Sequence, residues 1–91
     1  MITAETYVKV ILKKRNMKQV DLLNKMKKLK LADDKTLVLQ KLNNAINIKM
    51  GYTWARRIEI ALELPQYSLI KMVGNPTEAQ WKIIKEIEAN V

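Results

Sequence analysis

Asn16-Met17-Lys18-Gln19-Val20-Asp21-Leu22-Leu23 leads, across residues 27–34, into Leu37-Val38-Leu39-Gln40-Lys41-Leu42-Asn43-Asn44-Ala45-Ile46, and the reading of these two segments decides the fold. Leu22, Leu23, Met26 and Leu29 recur at helical spacing, which predicts a helix over about Lys18–Leu29 with all four turned inward. Lys30-Leu31-Ala32-Asp33-Asp34 breaks that stripe, and Asp33 or Asp34 is suited to cap a further helix over about Lys35–Ile46. The expected inner stripe of that helix is Leu39, Leu42 and Ile46. Lys35, Thr36, Gln40 and Asn44 then fall on its outer side.

The same periodicity extends in both directions. Upstream, Thr3 is a plausible N-cap for a helix to about Arg15, with Ala4, Tyr7, Val8, Ile11 and Leu12 as its stripe and Asn16 at the left-handed exit. Downstream, Asn47–Tyr52 reads as a loop, and Thr53 as the cap of a fourth helix facing inward through Trp54, Ile58, Ala61 and Leu62. A short helix, about Gln66–Val73, follows Pro65 and stops at Gly74. Thr77 and Gln80 form the capping-box pattern before a last helix whose face carries Trp81, Ile84, Ile87 and Val91. Strand alternation is nearly missing. The expectation is a compact all-α protein of five or six short helices: a five-helix domain over 1–74 and a C-terminal helix over 75–91.

Composition narrows the chemistry. The 91 residues include no cysteine and no histidine, so disulfides, thiol nucleophiles, zinc fingers and imidazole-based catalysis are out of reach. No Gly-rich phosphate loop, convincing carboxylate pair or metal-ligand cluster stands in the sequence, so neither an enzyme nor a cofactor is expected. No apolar run approaches membrane length, and the start lacks the form of a signal peptide. A soluble protein of the cytoplasm, in a bacterial host cell or on its nucleoid, is expected, with no membrane partner. The formal charge is +8, and its distribution is uneven. Residues 1–50 hold 12 basic and 4 acidic side chains, whereas residues 51–91 hold 5 of each. Lysine-rich composition also follows from an AT-rich genome, but confinement to one half favours a positive face that meets phosphates.

Two short helices, the second studded with polar residues inside a basic half, suit a helix-turn-helix, in which the second helix lies in the major groove. Here the sequence resembles the lambda-repressor-like, Cro/C1-type helix-turn-helix proteins over Ile11 to about Ile70. Gln19-Val20-Asp21-Leu22 matches the family's Gln-x-x-Leu opening of its second helix. Leu39-Gln40-Lys41-Leu42 is similar to the apolar-polar-basic-apolar run of its third. Tyr52-Thr53-Trp54 through Leu64 resembles its fourth. The chain departs from the family in its long, Gly-free 27–34 connection, in Leu23 where a small residue is usual, and in Lys18 at a cap position.

The resemblance implies a sequence-specific double-stranded DNA-binding transcriptional regulator of phage repressor type, reading the groove with residues 35–46. Gln19, Lys35, Thr36, Gln40 and Asn44 are the base-contacting candidates, since amides pair with adenine and lysine reaches guanine. The alternative for the helix residues is an ordinary solvated face. Lys14, Lys18, Lys28, Lys30, Lys41 and Lys49 are the phosphate-contacting candidates, with Lys13, Arg15 and Lys27 beside them. Of Leu37 and Val38, at least one is expected to be partly exposed, either touching a thymine methyl group or packing on the 27–34 connection. Arg56 and Arg57 read as solvent-exposed or paired with Glu59 or Glu63. Trp81, Ile84, Ile87 and Val91 are candidates for a homodimer contact, or else pack back on the first or fifth helix. A second reading keeps the fold but gives it a protein partner, as in a phage-encoded inhibitor or antitoxin; the long connection and Leu37-Val38 favour it.

Overall fold

The computed structural model describes residues 2–89, and among these the regular structure is wholly helical. In order come α1 (Ala4–Lys14), α2 (Gln19–Lys28), α3 (Leu39–Asn47), α4 (Tyr52–Leu62), α5 (Ser68–Val73) and α6 (Glu78–Ala89). Most boundaries have a local cause. Thr3 Oγ1 accepts the Thr6 N–H at 3.1 Å at the start of α1. Asn16 leaves that helix at φ 54°, a left-handed conformation that asparagine tolerates better than most residues. At α2, Asp21 Oδ2 reaches back to accept the Lys18 N–H at 2.8 Å. The Thr77–Gln80 box forms in both directions, at 2.8 and 3.3 Å.

Helix α4 packs on α2, α5 and α6, while α1 packs on α3 and α5, and α2 on α3. A single core results, with Val8, Leu22, Met26, Leu42, Ile58 and Ile84 all without exposed surface. Glu59 lies in this core at 1% exposure. Its Oε2 accepts the backbone N–H groups of Leu69 and Ile70 at 2.8 and 3.0 Å. Its Oε1 accepts from the Tyr67 N–H at 2.9 Å and from Arg56 Nη1 at 2.8 Å. The carboxylate thus satisfies the first N–H groups of α5, which have no partner inside the helix. Tyr67 sits at φ 64°, so α5 cannot extend back to Gln66 and starts at Ser68.

Three expectations of register are corrected. Helix α4 begins at Tyr52 with Gly51 as its cap, so Thr53 lies in the first turn instead of capping it. That start brings Tyr52 Oη against Gly74, so close that a Cβ there would approach it to 2.7 Å. Leu29 falls outside α2 and is 36% exposed. The third correction bears on function: α3 starts at Leu39, four residues later than the stripe suggested. Asp33 caps a separate turn, its Oδ1 accepting the Thr36 N–H at 2.8 Å. This turn drives Leu37 into the core at 1% exposure, and Val38 follows in extended conformation. The buried face of α3 becomes Leu42, Ala45 and Ile46, and Leu39 emerges at 47% exposure.

Candidate nucleic-acid interface

Helices α2 and α3 meet near the start of α2, where Asn43 Nδ2 donates to Gln19 Oε1 at 3.1 Å. This bond fixes the Gln19 amide beside the exposed side of α3. Gln40, Asn43, Asn44 and Asn47 are all exposed there, within about 100° of arc on a helix that turns 3.6 residues per revolution. Asn47 Nδ2 donates to the Asn43 carbonyl at 3.1 Å. A face of uncharged amides carries donors and acceptors side by side, the pairing that adenine N6 and N7 require. Val38 and Leu39, 37% and 47% exposed, stand at its leading edge.

The other base-contacting candidates are placed differently. Lys35 and Thr36 lie in the turn before α3 and are not on its outer face. The Lys35 carbonyl accepts from Lys41 Nζ at 3.2 Å, which folds Lys41 back over that turn. The Thr36 hydroxyl and then its N–H hold the Asp33 carboxyl below the ordinary aspartate range, with Lys41 a smaller contributor.

Lys14, Lys18, Lys28, Lys30, Lys41 and Lys49 are all exposed. Lys14 and Lys18 flank the Gln19 end of α2, whereas Lys28 and Lys30 lie at its far end, about 15 Å away for a helix of this length. Lys49 follows the far end of α3. Arg15 leaves the phosphate set, because its Nη1 donates to the Leu62 carbonyl at 2.7 Å and so caps the end of α4. Among the described residues the ion pairs are Arg56–Glu59 at 2.8 Å and Arg56–Glu88 at 3.0 Å, both in the second half of the chain. Among the described residues, no basic side chain of residues 2–50 has a carboxylate within 4.0 Å.

No protein-family model, curated protein or solved structure matches the chain.

The C-terminal face is already occupied. Ile84 and Ile87 are buried within the chain, 0% and 6% exposed, on a helix that packs against α4. Trp81 meets the edge of Tyr67 with ring centres 5.0 Å apart. Ile84 and Ile87 thus face inward, with α6 packed chiefly on α4, and Trp81 lies on Tyr67 just before α5, as in the alternative that has this stripe pack back on its own chain. Val91 lies outside the described residues. Arg56 takes the paired alternative: it bridges Glu59 and Glu88 and lies over the Tyr67 ring at 5.0 Å. The Tyr67 phenol donates to Glu88 at 2.6 Å, a bond that raises its pKa. Arg57 lies over Trp54 at 5.2 Å, and desolvation lowers its pKa.

Sequence reading missed Leu39 and Asn43 as members of the α3 face. Asn43 was legible as an off-stripe amide. Leu39 was not, because its exposure follows from the burial of Leu37.

Proposed function

We propose that the chain is a sequence-specific double-stranded DNA-binding protein, a transcriptional regulator of repressor type. It inserts the outer face of α3 into the major groove, as in the helix-turn-helix proteins that the Gln19 and Leu39–Leu42 segments resemble. Its role is one of binding and not of catalysis. The observation that carries this reading is a row of exposed, uncharged amides on α3 (Gln40, Asn43, Asn44, Asn47) in a half of the chain whose lysines have no carboxylate within 4.0 Å among the described residues. Lysines in that condition are available to displace counterions from a phosphate backbone, which gives affinity without sequence information. The amides then supply the choice of base. Gln19 acts in this scheme as a positioning residue, holding Asn43. Val38 and Leu39 offer apolar contact to the C5-methyl group of thymine.

Among the described residues no helix is long and apolar enough to cross a membrane. The reading places the protein in the bacterial cytoplasm, at the nucleoid.

A second reading, a protein-binding module on the same fold, is favoured by a specific feature: Val38, Leu39 and Val20 are all exposed near the Gln19–Asn43 contact. Binding to a duplex pool by fluorescence anisotropy over a salt series separates the two. The DNA reading expects steep salt dependence, and Gln40→Ala is expected to cost about 1–3 kcal/mol on a preferred site while leaving non-specific binding intact. Equal affinity of Gln40→Ala and the parent chain for all duplexes would favour the protein partner.

A further inference from the structure

Helix α3 carries a single charged side chain, Lys41, and its Nζ is turned back onto the Lys35 carbonyl at 3.2 Å. The outer face is left to carboxamides. Asn43 and Asn47 each donate within the chain at 3.1 Å, whereas among the described residues no such bond engages the amide of Gln40 or Asn44. These two exposed groups are neighbours on the helix surface, four residues apart. A free carboxamide holds an acceptor oxygen and a donor nitrogen side by side. The base that answers both in the major groove is adenine, through an N6 hydrogen and N7. Helix α3 offers no guanidinium or free ammonium group for guanine and no carboxylate for cytosine. Leu39, one turn before Asn43 and exposed, offers apolar contact to the methyl group of the thymine paired with that adenine.

We propose that this face is a sensor of adenine methylation: it holds duplexes whose adenines keep both N6 hydrogens and releases them when one is replaced by a methyl group. The inference rests on the DNA-binding reading of α3 and adds a means of regulation to it. A paired adenine gives one N6 hydrogen to thymine O4, so the other is its only donor in the major groove. A methyl group on N6 of a base that stays paired takes that second position. The carboxamide oxygen of Gln40 or Asn44 then meets carbon where it had met hydrogen, and it is left without a donor in a desolvated interface. The methyl group also crowds N7, the acceptor for the N–H of the same amide. A lysine on guanine O6 and N7 would be indifferent to this change, so the sensitivity follows from a reading face made of amides. The phosphate contacts of the lysines are untouched, and the methylated duplex therefore falls to the level of non-specific binding and no further.

Fluorescence anisotropy on the full chain tests it with the duplex most enriched by selection from a random pool. That duplex is made in three forms: unmodified, N6-methylated at adenines within the enriched motif, and N6-methylated at adenines outside it. Methylation within the motif is expected to weaken binding about ten-fold or more, and methylation outside it to leave affinity unchanged. The double variant Gln40→Ala with Asn44→Ala, both at exposed positions, is expected to keep the parent circular dichroism spectrum. It is expected to bind the unmodified duplex about as weakly as the parent binds the methylated one, and to lose the response to methylation. Equal affinity of the parent for all three forms overturns the inference and leaves the DNA reading standing. Equal losses from methyl groups inside and outside the motif do the same, as does a double variant that still responds to methylation. A pool from which no duplex is enriched removes both.

Discussion

The two halves of the molecule use charge in opposite ways. In α4–α6, carboxylates and guanidinium groups are turned on one another and on the backbone: Glu59 holds the start of α5, and Arg56 joins it to Glu88 on α6. In α1–α3 and their connections no lysine has a carboxylate within 4.0 Å among the described residues, and all but Lys25 are exposed. Buried charge without a partner is costly, and the buried Glu59 carboxylate is met by Arg56 and three backbone N–H groups; exposed charge carries no such demand. The first half therefore keeps its lysines available to an outside ligand, and it rests on the second half through α2 against α4 and α1 against α5.

The sharpest way to break this contrast is to remove the buried acceptor. Glu59→Ala strands three backbone N–H groups and Nη1 of Arg56, whose Nε keeps Glu88, and about 3–5 kcal/mol of stability is expected to be lost in urea denaturation. That is a large part of the total for a domain of this size. Loss below about 0.5 kcal/mol would mean that Glu59 does not organise the second half. Next in size is a paired test of the α3 register. Leu37→Ala is expected to cost about 2–4 kcal/mol and Leu39→Ala less than about 1 kcal/mol, since only Leu37 is buried. The reverse order would restore a helix starting at Lys35.

That register shows where the sequence was legible. Side-chain chemistry acting within one turn was readable: the Thr3 cap, the Asn16 exit and the Thr77–Gln80 box each form as their residue types require. The α3 start was not. Leu37 and Leu39 are equally apolar, and only the turn capped by Asp33 decides which of them reaches the core. Glu59 was equally hidden, because a glutamate in a helix normally faces water, and its partners lie 8 to 11 residues further along the chain. In the candidate interface, the amides were visible as off-stripe residues, but the Gln19–Asn43 bond depends on how α2 and α3 pack. The α6 stripe was correct as a stripe. Periodicity shows that a face is apolar and not what covers it.

Smaller effects sharpen the comparison. Lys18→Gln and Lys41→Gln are each expected to lower the slope of log affinity for duplex DNA against log salt by about 1, whereas Lys82→Gln and Lys85→Gln on α6 leave it unchanged. Equal effects in both halves would make the attraction one of net charge alone. The smallest concerns Asp33. Its folded-state pKa is lowered, chiefly by hydrogen bonds from Thr36, so its contribution to stability is present above the ordinary aspartate value. It fades as pH falls through that value towards the lowered one. Asp33→Asn is therefore expected to flatten that part of the stability–pH curve without shifting the rest; an unchanged curve would remove Asp33 from the account.

The most direct test of the central claim, that the outer face of α3 reads duplex DNA, is selection from a random duplex pool at roughly physiological salt, followed by sequencing of the retained molecules. The account predicts enrichment of one short motif with A·T pairs at the positions that face Gln40 and Asn44, lost or relaxed when those two residues are changed to alanine. Retention without any enriched sequence, vanishing as salt is raised, would contradict it.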